Sequence, residues 1–173
     1  PRSGTTLLDT MLMADPKVRV MEEEGFIVEI EESLGGISAL PSLTSAQLAE
    51  ARAAYFAKVE AREGALDGVQ IVDKHPMHLN KVAVIRRLFP DAKFVLALRH
   101  PCDVVLSCFL TNFRINNAMA NFLRLEDAAE LYDLSFTHWE KARALFDLPV
   151  GTIVYERLVE DKDRELRPLF DWL

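Results

Sequence analysis

Five residues near the start of the chain, Arg2, Ser3, Gly4, Thr5 and Thr6, have the types and order of a loop that grips an anion. Gly4 can take the positive φ angles that a tight loop needs. Two hydroxyls follow it, and then Leu7, Leu8, Met11 and Leu12 repeat at helical spacing. The N-terminus of such a helix offers unpaired N–H groups and a partial positive charge, which suits a phosphate-like group. The lysine that a nucleotide-triphosphate loop carries right after its last glycine is here Thr5, so positive charge must come from elsewhere, first from Arg2. On these residues alone, an anion loop and an ordinary loop-to-helix turn are both open.

Three further residues end short apolar runs. Lys74 follows the run at 69–72, Arg99 the run at 94–98, and Tyr155 the run at 152–154. Ser107 lies eight residues beyond Arg99, a little over two helical turns, and so stays near the same face. Either cation alone reads as a surface charge. Together, Arg2, Lys74, Arg99, the hydroxyls and one aromatic ring describe a site for a polyanionic nucleotide.

The elements that must position these residues alternate along the chain. Val18 and Val20 alternate with charge and suggest a short strand, which runs into Glu22, Glu23 and Glu24, a triplet expected on a solvated surface. Phe26 to Leu34 is helical and stops at Gly35-Gly36. Thr44 with Gln47 forms a capping box ahead of a long helix, whose stripe is Leu48, Ala51, Tyr55 and Val59. Residues 80–89 read as helix. The run 94–98 is apolar throughout, as for a strand covered on both faces, and Pro101 suits the first turn of the helix after it. The asparagine-rich segment 112–121 is expected to be a mobile loop. Residues 126–146 are amphipathic through Leu131, Leu134, His138, Ala142 and Leu145, with His138 in the core, and Asp161 caps a last helix. Strands separated by helices predict an α/β fold with a parallel sheet and right-handed crossovers, and ligands gathered at the carboxyl ends of the strands.

The 173 residues, half of them hydrophobic, suit one domain with a sizeable core. With 20 basic and 27 acidic residues the chain carries −7, which disfavours a nucleic-acid partner. No apolar run is long enough to span a bilayer. Cys102 and Cys108 form no disulfide framework, and a reducing cytoplasm is the simplest expectation. An anion loop normally follows a buried strand, whereas Pro1 opens this chain, and Leu173 ends it on an uncapped apolar helix. We therefore expect one domain over 1–173, cut at both ends.

The opening PRSGTTLL together with RHPCDVVLSCF resembles the paired binding loops of sulfotransferases that use 3′-phosphoadenosine 5′-phosphosulfate (PAPS). The stretches DKHPMHLNKVAVIRRLFPDAKFVLALRHP and VYERLVEDKDRELRPLFDWL are similar to bacterial sulfotransferases often fused to tetratricopeptide repeats, relatives of the tyrosylprotein sulfotransferases. The resemblance implies a P-loop-like three-layer sandwich, with helices on both faces of a parallel sheet. It implies that Arg2, Ser3, Gly4, Thr5 and Thr6 bind the 5′-phosphosulfate, that Lys74 touches the bridging oxygen, that Arg99 and Ser107 hold the 3′-phosphate, and that Tyr155 meets the adenosine. The tyrosylprotein enzymes carry their general base in a Glu-Glu pair 21 residues after the loop arginine, which lands on Glu23. In those enzymes a Thr-Arg follows the pair, where this chain has Glu24-Gly25.

The implied chemistry is in-line transfer of a sulfuryl group to an acceptor hydroxyl of a small molecule, carbohydrate or peptide, without a metal. Lys74 and Arg2 would stabilise developing charge and Glu23 would take the hydroxyl proton. His75 is a rival base, because cytosolic sulfotransferases place a histidine shortly after a comparable lysine. His75 and His78, beside Pro76, make a poor metal pair. A nucleotide kinase, or a module that binds the nucleotide without catalysis, remains open beside the enzyme. A tetratricopeptide-repeat domain outside these residues is a further implied partner.

Overall fold

In the computed structural model, which describes residues 1–173, four short strands and eight α-helices alternate along the chain. The fold is mixed α/β, and every strand pairing is parallel. The four strands are hydrogen-bonded in two pairs, one in each of two compact units.

The unit Thr6–Ala92 holds α1 (Thr5–Leu12) from its second residue onward, β1 (Val18–Glu22), α2 (Phe26–Ser33), α3 (Ser45–Glu63), β2 (Gln70–Lys74) and α4 (Val82–Leu88). β1 and β2 pair from Val18 opposite Gln70 to Glu22 opposite Lys74. The capping box forms: the Thr44 hydroxyl accepts from the Gln47 N–H, and the Gln47 side-chain oxygen accepts from the Thr44 N–H. The buried residues of α3 are Leu48, Ala51, Tyr55 and Val59, the stripe that the spacing predicts. They pack with Met21, Ile27, Ile30, Leu40, Val84 and Leu88 into this unit's core.

The other unit joins Pro1–Thr5 to Lys93–Leu173. It holds β3 (Phe94–Leu98), α5 (Pro101–Leu110), α6 (Leu125–Phe146), β4 (Val150–Val154), α7 (Tyr155–Glu160) and α8 (Lys162–Trp172). β3 and β4 pair from Phe94 opposite Val150 to Leu98 opposite Val154. Pro101 opens α5, where a missing N–H costs nothing. Asp161 caps α8, its carboxylate accepting from the Arg164 N–H. α8 closes over β4 so tightly that a Cβ on Gly151 would come within 2.8 Å of Leu169 and 3.0 Å of Trp172.

Two expectations need correction here. α6 is rotated relative to its anticipated stripe: Ala128, Ser135, Trp139 and Ala142 are buried, whereas His138 is exposed and Leu134 is 58% exposed. Trp139 decides the phase, because its ring is the largest apolar surface on the helix and packs against Phe94 at 6.0 Å. His138, one residue away, is thereby turned outward. The segment 112–121 carries more structure than the expected loop. The Asn116 side chain accepts from the N–H groups of Ala118 and Met119, and a short 3-10 turn over Met119–Leu123 buries Phe122 against Phe113.

Candidate functional site

The loop at the start of the chain builds the first cluster. Gly4 has φ 82° and Arg2 has φ 63°, and α1 begins at Thr5. Because Leu98 and Val154 are the last paired residues of β3 and β4, the residues that follow them, Arg99 and Tyr155, emerge side by side. The Arg99 guanidinium carbon lies 4.9 Å above the Tyr155 ring. Arg99 Nη1 donates to the Arg2 carbonyl at 3.2 Å, and Arg2 Nε donates to Ser107 Oγ at 3.0 Å. The same Tyr155 ring lies against Gly4. Arg2, Gly4, Arg99, Ser107 and Tyr155 are thus brought together from four separate stretches of chain. Ser3 and Thr5 are half-buried in the loop, and Thr6 is exposed, its carbonyl accepting from the Thr10 hydroxyl. Asp103 is the acidic neighbour of Arg99, at 3.6 Å. Arg99 Nε is buried and has no hydrogen-bond partner. Glu156 accepts from the His100 N–H at the start of α5, and that bond holds its carboxyl below the usual range.

The second cluster belongs to the unit Thr6–Ala92 and centres on Lys74, whose side chain is 8% exposed. Its ammonium lies 3.0 Å from Glu22, 3.2 Å from Glu23 and 3.5 Å from Asp9. Glu22 is there because it faces Lys74 in the strand register. Glu23 is there for a different reason. Successive strand residues point to opposite faces, so a regular strand would turn Glu23 away from Glu22. Glu23 instead has φ 57°, while its N–H still donates to the Lys74 carbonyl at 2.7 Å. The left-handed turn ends the strand with both carboxylates on one ammonium. Burial pulls the Lys74 pKa down, but its hydrogen bonds to Glu22 and Glu23 outweigh that and leave it raised. Burial pushes Asp9 up to about 6 against the opposing pull of Lys74.

Asp73, one residue before Lys74, points to the other strand face and accepts from the Tyr55 hydroxyl at 2.8 Å. Burial pushes its carboxyl up to about 6 and the Tyr55 hydroxyl upward as well. The His75 and His78 rings stack at 5.1 Å. Burial lowers both, His78 to about 4. His75 Nδ1 accepts from the Met77 N–H, so the neutral ring carries its proton on Nε2. No three His, Cys, Asp or Glu side chains gather as a metal site.

Sequence reasoning missed two of the three carboxylates on Lys74. Glu22 was legible in principle from strand pairing, once β1 and β2 were aligned end to end. Asp9 left one signal, an acid set between Leu8 and Leu12 on the buried side of α1.

A model of the sulfotransferase family matches residues 1–173, both units included. The chain belongs to the sulfotransferase family. This sulfotransferase chain is 27% identical over 192 residues to an uncharacterized protein of Aquifex aeolicus, covering 99% of the chain and 24% of that protein. It is 33% identical over 108 residues to protein-tyrosine sulfotransferase 2 of Gallus gallus, and 32% identical over 110 residues to protein-tyrosine sulfotransferase 1 of Homo sapiens. Each of those matches covers 57% of the chain and 29% of the relative. The sulfotransferase chain therefore spans less than a third of the length of these relatives. No helix is long and apolar enough to cross a membrane.

Proposed function

We propose that the chain transfers a sulfuryl group from PAPS to an acceptor hydroxyl. The observation that carries this reading is the junction of Arg2, Arg99 and Ser107, which gathers two guanidiniums and a hydroxyl beside an aromatic ring. The donor set fits a nucleotide with more than one phosphate: arginine forks match phosphate oxygens, and the buried, unpartnered Nε of Arg99 has capacity for one more acceptor. Arg99 and Ser107 would hold the 3′-phosphate, Arg2 and the loop from Ser3 to Thr6 the 5′-phosphosulfate, and Tyr155 the adenosine.

PAPS supplies a sulfuryl group on a phosphate leaving group. The acceptor oxygen bonds to sulfur as the sulfur–oxygen bond to that phosphate breaks, and the hydroxyl proton passes to a base. Lys74, kept charged by its carboxylates, stabilises negative charge on the departing oxygen. Glu23 takes the proton. His75 is the weaker base on this geometry, since Met77 occupies its free lone pair and Nε2 already bears a proton. The acceptor is a hydroxyl of a small molecule, carbohydrate or peptide, and the reaction as written requires no metal. A cytoplasmic setting and a tetratricopeptide-repeat partner outside these residues accompany this reading.

The deciding experiment is an acceptor screen with sulfur-labelled PAPS, using the full-length protein, beside calorimetry with the desulfated nucleotide. Labelled product with tight binding of the desulfated nucleotide supports the enzyme. Binding with no transfer to any acceptor leaves a nucleotide-binding module. Tight magnesium-dependent ATP binding in place of both points to a kinase.

A further inference from the structure

Lys74 has three acidic partners of unequal kind. Glu22 and Glu23 are 55% and 58% exposed, so their hold on the ammonium competes with water. Asp9 is different: it is buried on α1, and its Oδ2 faces the ammonium at 3.5 Å with no hydrogen-bond partner of its own. The glutamates make the ammonium's hydrogen bonds from the solvent side, whereas Asp9 holds it from the buried side, where water does not compete. The reaction proposed above also needs Glu23 to become neutral when it accepts a proton, which weakens its grip on Lys74 at the moment the lysine acts. Asp9 takes no proton in that step and would keep the ammonium in place throughout.

We infer that Asp9 is a positioning residue for Lys74, anchoring its ammonium from α1 while the exposed carboxylate Glu23 exchanges protons. The inference rests on the sulfuryl-transfer reading. The charged groups that face Asp9 are Lys74 from β2 and Glu22 and Glu23 from the end of β1. Protonating Asp9 removes its pull on Lys74, so the anchor fails on the acid side of its titration near pH 6.

Asp9→Asn keeps the shape and removes the charge. It should lower kcat by about 10–100-fold, the scale of a catalytic group set slightly out of place, with the Kd of the desulfated nucleotide unchanged. The fall in kcat of the wild-type enzyme between pH 7 and 5 should lose its step near 6 in the variant, and Asp9→Glu should recover part of the rate. Wild-type kcat in Asp9→Asn, or an identical acid limb, overturns the inference. So does a parallel loss of nucleotide affinity, which marks a purely structural residue. A readout independent of turnover is the side-chain NMR signal of Lys74 in the wild-type protein. A titration step near pH 6 that Asp9→Asn abolishes supports the anchor even if no acceptor is ever sulfated; no step, or one that survives the substitution and so belongs to Asp73, overturns it. Failure of the transfer reading would appear instead as no labelled product from the wild type.

Discussion

The Tyr155 ring lies against the bare α-carbon of Gly4: a β-carbon built there would come within 2.3 Å of Cδ2 and 3.0 Å of Cε2. Gly4 also has φ 82°, a conformation that costs other residues about 1–2 kcal/mol. Gly4→Ala should therefore destabilise the fold by that amount plus roughly 1–3 kcal/mol of overlap. Thermal unfolding of Gly4→Ala and of Gly4→Ala with Tyr155→Ala checks it. Relative to Tyr155→Ala alone, which loses the ring's contact with Arg99, the double variant should show the backbone cost without the overlap. Equal melting of Gly4→Ala and the wild type would show that the ring gives way freely.

Arg99→Ala and Ser107→Ala should weaken the donor and its desulfated product alike, because the 3′-phosphate that they address is unchanged by the reaction. A charge-assisted contact is worth about 1.5–3 kcal/mol, so the arginine variant should lose about 10- to 150-fold in affinity by calorimetry. Ser107 also accepts from Arg2, so its removal should cost less and loosen the loop. An unaltered Kd in Arg99→Ala would take that residue out of the site.

Glu23→Gln should cut transfer by about 10²–10⁴-fold with nucleotide binding intact, since an amide cannot take a proton. Glu22→Gln still offers Lys74 an oxygen, and an exposed pair is worth about 1 kcal/mol or less, so its loss should stay below about tenfold. His75→Ala should retain most activity. If single-turnover rates instead collapse in His75→Ala and survive in Glu23→Gln, the base has been misassigned.

Asp73 predicts an inverted pH dependence of stability. Its carboxyl is raised from 3.8 to about 6 on folding, chiefly by burial, with the Tyr55 bond opposing. Between those values the folded state holds the proton that the unfolded state has released, so stability falls as pH rises from 4 to 6 and the full cost remains above 6. At 1.36 kcal/mol per unit this is at most about 3 kcal/mol. Asp73→Asn, whose amide oxygen can still accept from Tyr55, should be more stable than the wild type at pH 8, with the difference vanishing near pH 4. Urea titrations at the two pH values measure it; a variant less stable at pH 8 contradicts the sign.

Local chemistry made much of this molecule legible in advance. Thr44 and Gln47 announced α3, Pro101 announced α5, and the strand ends brought Arg99 and Tyr155 together as the α/β pattern required. What escaped was set by tertiary packing. The phase of α6 depends on Trp139 meeting Phe94, a contact that no helical period specifies between two adjacent candidates. Asp9 drew no attention because nothing near it in sequence supplies a cation; Lys74 arrives only when β2 is laid down. The triplet at 22–24 is solvated as expected at Glu22 and Glu23, but the run gave no sign that both pair with Lys74 and that Glu24 pairs with Arg62 at 2.7 Å.

Arg2 and Glu23 share a backbone state that side chains other than glycine resist, with φ 63° and 57°. Glycine at either position would relieve about 1–2 kcal/mol of local cost, less about 0.5–1 kcal/mol for its greater freedom when unfolded. A library of variants sorted only for heat tolerance should therefore drift towards glycine at 2 and 23, discarding the loop guanidinium and the carboxylate on Lys74. The same library sorted for sulfated product should hold both side chains. The gap between the two populations would report how much folding stability this chain gives up to aim two side chains.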